Sequence, residues 1–468
     1  MTQQRALDIL KLGGNVFLTG APGAGKTYLL GEYIRFLQSR GIDAAITAYT
    51  GIAASHLSGR TLHSWAGLSF GALTPEQERE RIHANERAAA RIRNAKVLII
   101  DEISMLHPAE FDRVDFICKT ARGSLEPFGG LQLICCGDFF QIPPVETGER
   151  TAGEDGRFVI DCAAWKAARL RTCYLHEQHR QGDAKLLGIL DDIRAGHVGE
   201  ASLALLRSRL KAAVAAPIGI ARLYTHNENV DALNAAELRK LAEPEVVYDA
   251  TERGPAKLVE KLKKDNRIDR VVLRKGARVM FTRNNRGMGY VNGTLGEVVD
   301  FAAGDESVEV MPVVFTFDRR RILVTREQWE VEEDGKVAAS VRQMPLKLAW
   351  AITVHKSQGM TLDAAEIDLS RAFDRGMGYV ALSRVKRLEN ISLLGLNDLA
   401  LQVSPRIRAL DAEFWEQSAG TEAYAAGLGA DGLARGQEEF LEKVKEEGGS
   451  SQTDFHYELD DVPVVDFE

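Results

Sequence analysis

Eight residues, Gly20-Ala-Pro-Gly-Ala-Gly-Lys-Thr27, follow the apolar run Asn15-Val-Phe-Leu-Thr19 and precede a helical pattern over Tyr28–Gln38. A strand, a glycine loop and a helix start in that order cradle nucleotide phosphates. Gly20, Gly23 and Gly25 let backbone N–H groups turn inward, where the positive end of the following helix attracts the anion. Ala24 and Tyr28 complete the expected lining, Lys26 is spaced to reach the β- and γ-phosphates, and the Thr27 hydroxyl to ligate magnesium. The second signal is Val97-Leu-Ile-Ile100 followed by Asp101-Glu102. An unbroken apolar run fits a strand buried on both faces of a parallel sheet, and carboxylates at its carboxyl end fall where such sheets bind ligands. Asp101 is expected to hold the magnesium and Glu102 to orient or deprotonate the attacking water. The two motifs predict hydrolysis of ATP or GTP and leave open what the hydrolysis drives.

The 468 residues, 45% of them hydrophobic, suffice for two or three domains. The longest apolar stretches are strand-length, and Met1–Leu12 lacks the basic start and apolar centre of a signal peptide, so no membrane partner is expected. The reading is a cytoplasmic or nucleoid-associated protein, or a nuclear or mitochondrial one if the source is eukaryotic. Five cysteines with no CxxC pair suggest buried reduced thiols, and His176 with His179 lacks the companions of a zinc site. No metal beyond the nucleotide's magnesium is expected. The net charge of −8 is unevenly placed: from Asp411 onward there are 16 acidic and 3 basic residues, which leaves residues 1–410 at +5. A phosphate-binding groove on the body is therefore permitted.

Strand-like runs alternate with helical patterns over residues 15–175, as βαβ units of a parallel sheet do. The expected fold class is α/β, with two RecA-like lobes. Lobe 1 spans 1–178 and carries a polar helical insertion at about 68–96. Lobe 2 covers 179–293, including a strand at Ala277–Thr282, and resumes over 345–410. Alternating stretches between them, at Leu295–Val299, Val308–Val314 and Arg321–Thr325, predict a small SH3-like β-barrel inserted at 294–344. Residues 411–468, acidic and poor in large aliphatics, are expected to be largely disordered.

Further segments form one set. Gly137-Asp-Phe-Phe-Gln-Ile-Pro-Pro144, Ala351-Ile-Thr-Val-His-Lys-Ser-Gln-Gly359 and Tyr379-Val-Ala-Leu-Ser-Arg384 resemble motifs III, V and VI of superfamily 1 helicases. With Tyr49-Thr-Gly-Ile-Ala-Ala54, Thr61-Leu-His-Ser64 and Phe128-Gly-Gly-Leu-Gln132, the chain is most similar to the PIF family of 5′-to-3′ DNA helicases, in the RecD-like B branch. The likeness spans roughly Thr2–Leu396. It implies that Gln3 reads adenine, with Gln4 as the rival choice, and that Gln141 senses the γ-phosphate. It also implies that Arg180, in Glu177-Gln-His-Arg-Gln181, and Arg384 face the triphosphate from lobe 2, where arginines stabilise the transferring group. The sequence before Arg180 departs from the aromatic-containing family pattern.

The same resemblance makes Thr50, Thr61 and His63 on the first lobe, and Thr225, Asn227, Thr353, His355, Lys356 and Ser357 on the second, contacts to DNA phosphates that carry little sequence information. Trp65, Phe139 and Phe140 are weighed as base-stacking residues against the plainer reading of core packing. The implied partners are single-stranded DNA and duplex junctions, with the two insertions flanking the fork as wedge and clamp. A nucleic-acid-stimulated ATPase that remodels nucleoprotein without unwinding is the rival. The acidic tail reads as a solvated segment, a docking motif for a protein partner or a nucleic-acid mimic.

Overall fold

The computed structural model describes residues 1–446 except 51–52, 55–56, 58, 69–72, 145–157, 178–182, 215–220, 267, 284, 286, 291, 305–306, 317–318 and 334–335. Lobe 1 is built on the strands β1 (Val16–Gly20), β2 (Ala44–Ala48), β3 (Arg60–Thr61), β4 (Val97–Asp101), β5 (Gln132–Cys136) and β6 (Arg171–Leu175), in the spatial order β3-β2-β4-β5-β1-β6. Every neighbouring pair is parallel. β1, β4 and β5 are buried at every position, as their unbroken apolar runs require. Because β1 and β4 flank β5, the glycine loop after β1, Asp101 at the end of β4 and the Gly137–Gln141 segment after β5 leave the sheet at one carboxyl edge. Helices α1 (Gln3–Leu10) and α2 (Lys26–Gln38) pack on one face.

Lobe 2 has a four-stranded parallel sheet in the order Ala351–Thr353, β7 (Ala221–Tyr224), Ala365–Leu369, Ile391–Leu396. Thr353 pairs with Tyr224, so Thr225 and the short helix Val354–Ser357 emerge side by side. One apolar core runs through both lobes, joining Phe17, Ile100 and Phe139 to Ile352, Val380 and Leu382.

The helices expected near 68–96 are Pro75–Ala84, opened by a Thr74–Gln77 capping box, and Glu86–Asn94. Leu68, Ile82, Ala89 and Ile92 join the main core, which makes the pair a layer of the lobe.

Two expectations need correction. The strands assigned to a barrel at 294–344 belong to a wider region of antiparallel sheets. One has the order Arg321–Leu323, Ser307–Thr316, Leu295–Gly304, Arg278–Phe281, Leu346–Leu348, and the other joins Glu327–Glu333, Lys336–Gln343 and Thr251–Arg253. The strand expected at Ala277–Thr282 in lobe 2 thus pairs instead with Leu295–Glu297 and Leu346–Leu348. The second correction is the C-terminal segment. Residues Pro405–Glu446 form a helix kinked at Gly429, and only 447–468 lie outside the described residues. Its buried positions Phe414, Ser418, Thr421 and Ala425 share one face, and the small ones let it lie against the edge strand β6. Ser418 Oγ accepts the Tyr174 N–H at 3.0 Å, Thr172 Oγ1 donates to Gln417 Oε1 at 2.7 Å, and Trp415 stacks on Tyr174 with centroids 4.2 Å apart. A helix so placed covers a sheet edge that would otherwise offer free backbone groups.

Candidate functional site

The glycine loop has the geometry its spelling requires. Gly20 has φ 148°, and a Cβ there would lie 2.6 Å from the Leu175 carbonyl oxygen. Gly25, at φ 79°, caps α2. Lys26 Nζ donates to the carbonyls of Gly20 at 2.7 Å and Ala21 at 3.1 Å, while Thr27 and Tyr28 stand exposed on the first turn. Gln3 Nε2 donates to the Ala24 carbonyl at 3.3 Å, whereas Gln4 Nε2 bonds to Asp8 on the exposed side of α1. Of the two rival glutamines, Gln3 is the one brought to the loop.

Asp101 is only 6% exposed. Burial first, and the neighbouring Glu102 charge second, raise its carboxyl above the usual carboxylate range, while Cys136 and Lys26 oppose the rise. A divalent cation reverses that balance, and the Thr27 hydroxyl with the Asp101 carboxylate is a hard-oxygen donor set suited to magnesium. Glu102 occupies the left-handed region at φ 51°, ψ 45°. Non-glycine residues held there cost about 1–3 kcal/mol and cluster at functional sites. Its Oε2 accepts from Gln358 Nε2 at 3.2 Å, a bond from lobe 2 that sequence reasoning missed because its partners are 256 residues apart. Gln141 is 5% exposed, and its Oε1 has no hydrogen-bond partner among the described residues. Lobe 2 approaches here closely: a Cβ on Gly376, whose φ is 82°, would lie 2.8 Å from the Phe140 carbonyl oxygen and 2.9 Å from that of Gln141.

Arg180 lies outside the described residues. Arg384 is buried, with its guanidinium donating to Val380 O at 2.9 Å and Ser383 Oγ at 2.8 Å, both lobe-2 groups.

The model of a family described as PIF1-like helicase matches residues 3–191. A protein named ATP-dependent DNA helicase Pif1 from Psychrobacter sp. (strain PRwf-1) is 42% identical over 89% of this chain and 71% of that protein. The chain belongs to the PIF1-like helicase family. Among solved structures, a Pif1 helicase from Candida albicans gives a TM-score of 0.80 at 33% identity, covering 88% of this chain and 98% of that one. A Pif1 helicase from Bacteroides in complex with ADP-AlF3 and ssDNA gives 0.72 at 31% identity, covering 90% and 97%. The chain spans 62% of the length of vertebrate relatives it matches.

In this PIF1-like chain the residues expected to hold a strand sort by lobe. Thr50 Oγ1 accepts the Ala53 N–H, and Thr61 Oγ1 accepts the Ser64 N–H as the cap of Leu62–Ala66. His63 Nε2 lies 3.0 Å from Glu110 Oε1. Burial works against the Glu110 charge, but hydrogen bonds and charges from His63 and then His107 together outweigh it and hold the carboxyl low. On lobe 2, Thr225 Oγ1 is 2.8 Å from His226 Nδ1, Asn227 opens the helix Asn227–Lys240, and Thr353 Oγ1 caps Val354–Ser357 at the Lys356 N–H. Ser357 Oγ is buried and donates to Val354 O. Burial lowers the His355 pKa to about 4, so its imidazole is neutral at pH 7.

Trp65, Phe139 and Phe140 are each 3% exposed, which returns them to the core and corrects the stacking alternative. An exposed aromatic beside the lobe-2 turn is Phe373, at 39%, whose ring lies 6.0 Å from that of His355 and 5.0 Å from that of His226. A second feature that no local motif announces is Arg194. Its guanidinium bonds to Asp138, Tyr379 and Tyr174 and lies 3.9 Å over the Phe140 ring.

Proposed function

We propose that this chain hydrolyses MgATP between its two lobes and uses the cycle to travel 5′ to 3′ along single-stranded DNA, unwinding the duplex ahead. Its family is one of ATP-dependent DNA helicases. The observation that carries the reading is the convergence of the glycine loop, the acid pair and Gln141 on one lobe, linked by Gln358 to the turn that bears Thr353, His355, Lys356 and Ser357 on the other.

Thr27 and Asp101 would hold the magnesium, which supplies positive charge to the phosphoryl oxygens. Lys26 neutralises the β- and γ-phosphates, Glu102 orients or deprotonates the attacking water, and Gln141 senses the γ-phosphate. Arg180 and Arg384 add charge from the second lobe when the lobes close. Gln3 serves the base, beside Ala24 and Tyr28. Along the strand, hydroxyls and backbone N–H groups position phosphates, Lys356 adds charge, and Phe373 offers a stacking face indifferent to base identity. The helical layer near 68–96 and the antiparallel sheets flank the junction. No helix among the described residues is long and apolar enough to cross a membrane. The alternation of acid and apolar residues over Asp460–Glu468 supports a docking motif for a protein partner, and replication, repair and recombination are the settings in which such an enzyme acts.

The test is strand displacement from duplexes carrying a 5′ or a 3′ single-stranded overhang. ATP-dependent displacement from the 5′ substrate alone is expected. DNA-stimulated hydrolysis with no displacement from either substrate would favour the nucleoprotein-remodelling ATPase.

A further inference from the structure

We infer that Gln358 is a positioning residue through which the grip on the DNA strand sets the orientation of Glu102, so that ATP turnover depends on strand binding. The inference rests on the helicase reading above and names the connection within it.

Gln358 is 3% exposed and lies at the lobe interface. Its Nε2 donates to Glu102 Oε2 at 3.2 Å and to Ser104 Oγ at 3.5 Å, both on lobe 1. The amide's orientation follows from chemistry, since the flipped rotamer would set its carbonyl oxygen against a carboxylate. The Oε1 left over is buried and has no hydrogen-bond partner among the described residues. Gln358 follows directly on the turn Val354–Ser357, which is tied by Thr353 Oγ1 at one end and by Ser357 Oγ within. A movement of that turn as it takes a phosphate is therefore transmitted to the amide. At the other end the amide meets Glu102, whose left-handed backbone conformation is held by its surroundings. The route from strand to catalytic carboxylate is thus one side chain long.

The test uses the full chain with Gln358→Met, which keeps side-chain length, removes the donor and leaves no orphaned carbonyl. Turnover is measured with and without single-stranded DNA, alongside the ATP KM and the strand Kd without nucleotide. The expected result is a ratio of stimulated to unstimulated turnover that falls to one, with KM and Kd unchanged. Ser104→Ala, which keeps the Glu102 bond, should retain stimulation. Stimulation that survives Gln358→Met overturns the inference, and so does an equal loss of stimulated and unstimulated turnover, which marks a structural role. A wild-type enzyme that DNA does not stimulate overturns the helicase reading and this coupling together, and is told apart because the defect precedes any substitution.

Discussion

His355 and Lys356 are neighbours with different electrostatic parts. Burial keeps the His355 imidazole neutral down to about pH 4, so it offers a hydrogen bond, and the charge on that turn is left to Lys356. Lys356→Ala should make the log–log salt dependence of single-strand affinity shallower by about 0.7, the share of one phosphate on a single strand. His355→Gln should weaken binding and leave the slope unchanged. A salt titration by fluorescence anisotropy separates the two. The depressed pKa also has a stability consequence: as pH falls from 6.5, the unfolded chain takes up a proton that the folded chain refuses until about pH 4. That part of the stability is lost over the window, and urea unfolding of His355→Gln should show a flatter dependence on pH there. At the nucleotide, Lys26→Ala should abolish turnover, while Glu102→Gln stops hydrolysis and keeps nucleotide binding, as read by ATPase assay and a fluorescent nucleotide. Phe373→Ala should weaken single-strand binding by about 1–3 kcal/mol if the exposed ring stacks a base.

Among the elements, the helix Pro405–Glu446 has the clearest consequence. It covers the β6 edge with Trp415, Gln417 and Ser418 and adds Ala425, Phe440 and Val444 to a core shared with α1 and α2. Removing residues 405–468 should lower the thermal midpoint and expose the edge to aggregation, whereas removing only 447–468 should leave the midpoint unchanged by scanning calorimetry. Sequence alone made the glycine loop, β1, β4 and the acid pair legible, because each is encoded in consecutive residues and each reports its own burial. This helix stayed hidden because its buried face is built from Ser418, Thr421 and Ala425, which read as solvent-facing until β6 is beside them. The strand Arg278–Phe281 was visible as a strand, but its partners were not, since pairing with Leu295–Glu297 and Leu346–Leu348 is set by tertiary register. Gln358 and Arg194 were illegible for the same reason: their partners are distant in the chain.

Across the whole molecule, Arg194 is the point where the lobes and the C-terminal helix share one polar contact. Asp138 comes from the segment after β5, Tyr379 from the helix Met377–Ser383, Tyr174 from β6 and Asp411 from the C-terminal helix. Burial works to lower the Arg194 pKa, and these four groups outweigh it and raise it well above its ordinary value. The Asp138 side chain is fully buried and that of Arg194 is 12% exposed, so solvent screens the pair little. Such a pair adds little over a well-packed apolar replacement, but removing one partner strands a buried charge. Asp138→Asn should therefore cost about 3–5 kcal/mol in urea unfolding, and the double replacement Asp138→Asn with Arg194→Met should recover much of that loss. Because the apolar core is continuous between the two lobes, they should unfold together in one transition. A cost for Asp138→Asn below about 1 kcal/mol, the range of an exposed ion pair, would mean that the network is screened and does not fix how the lobes meet.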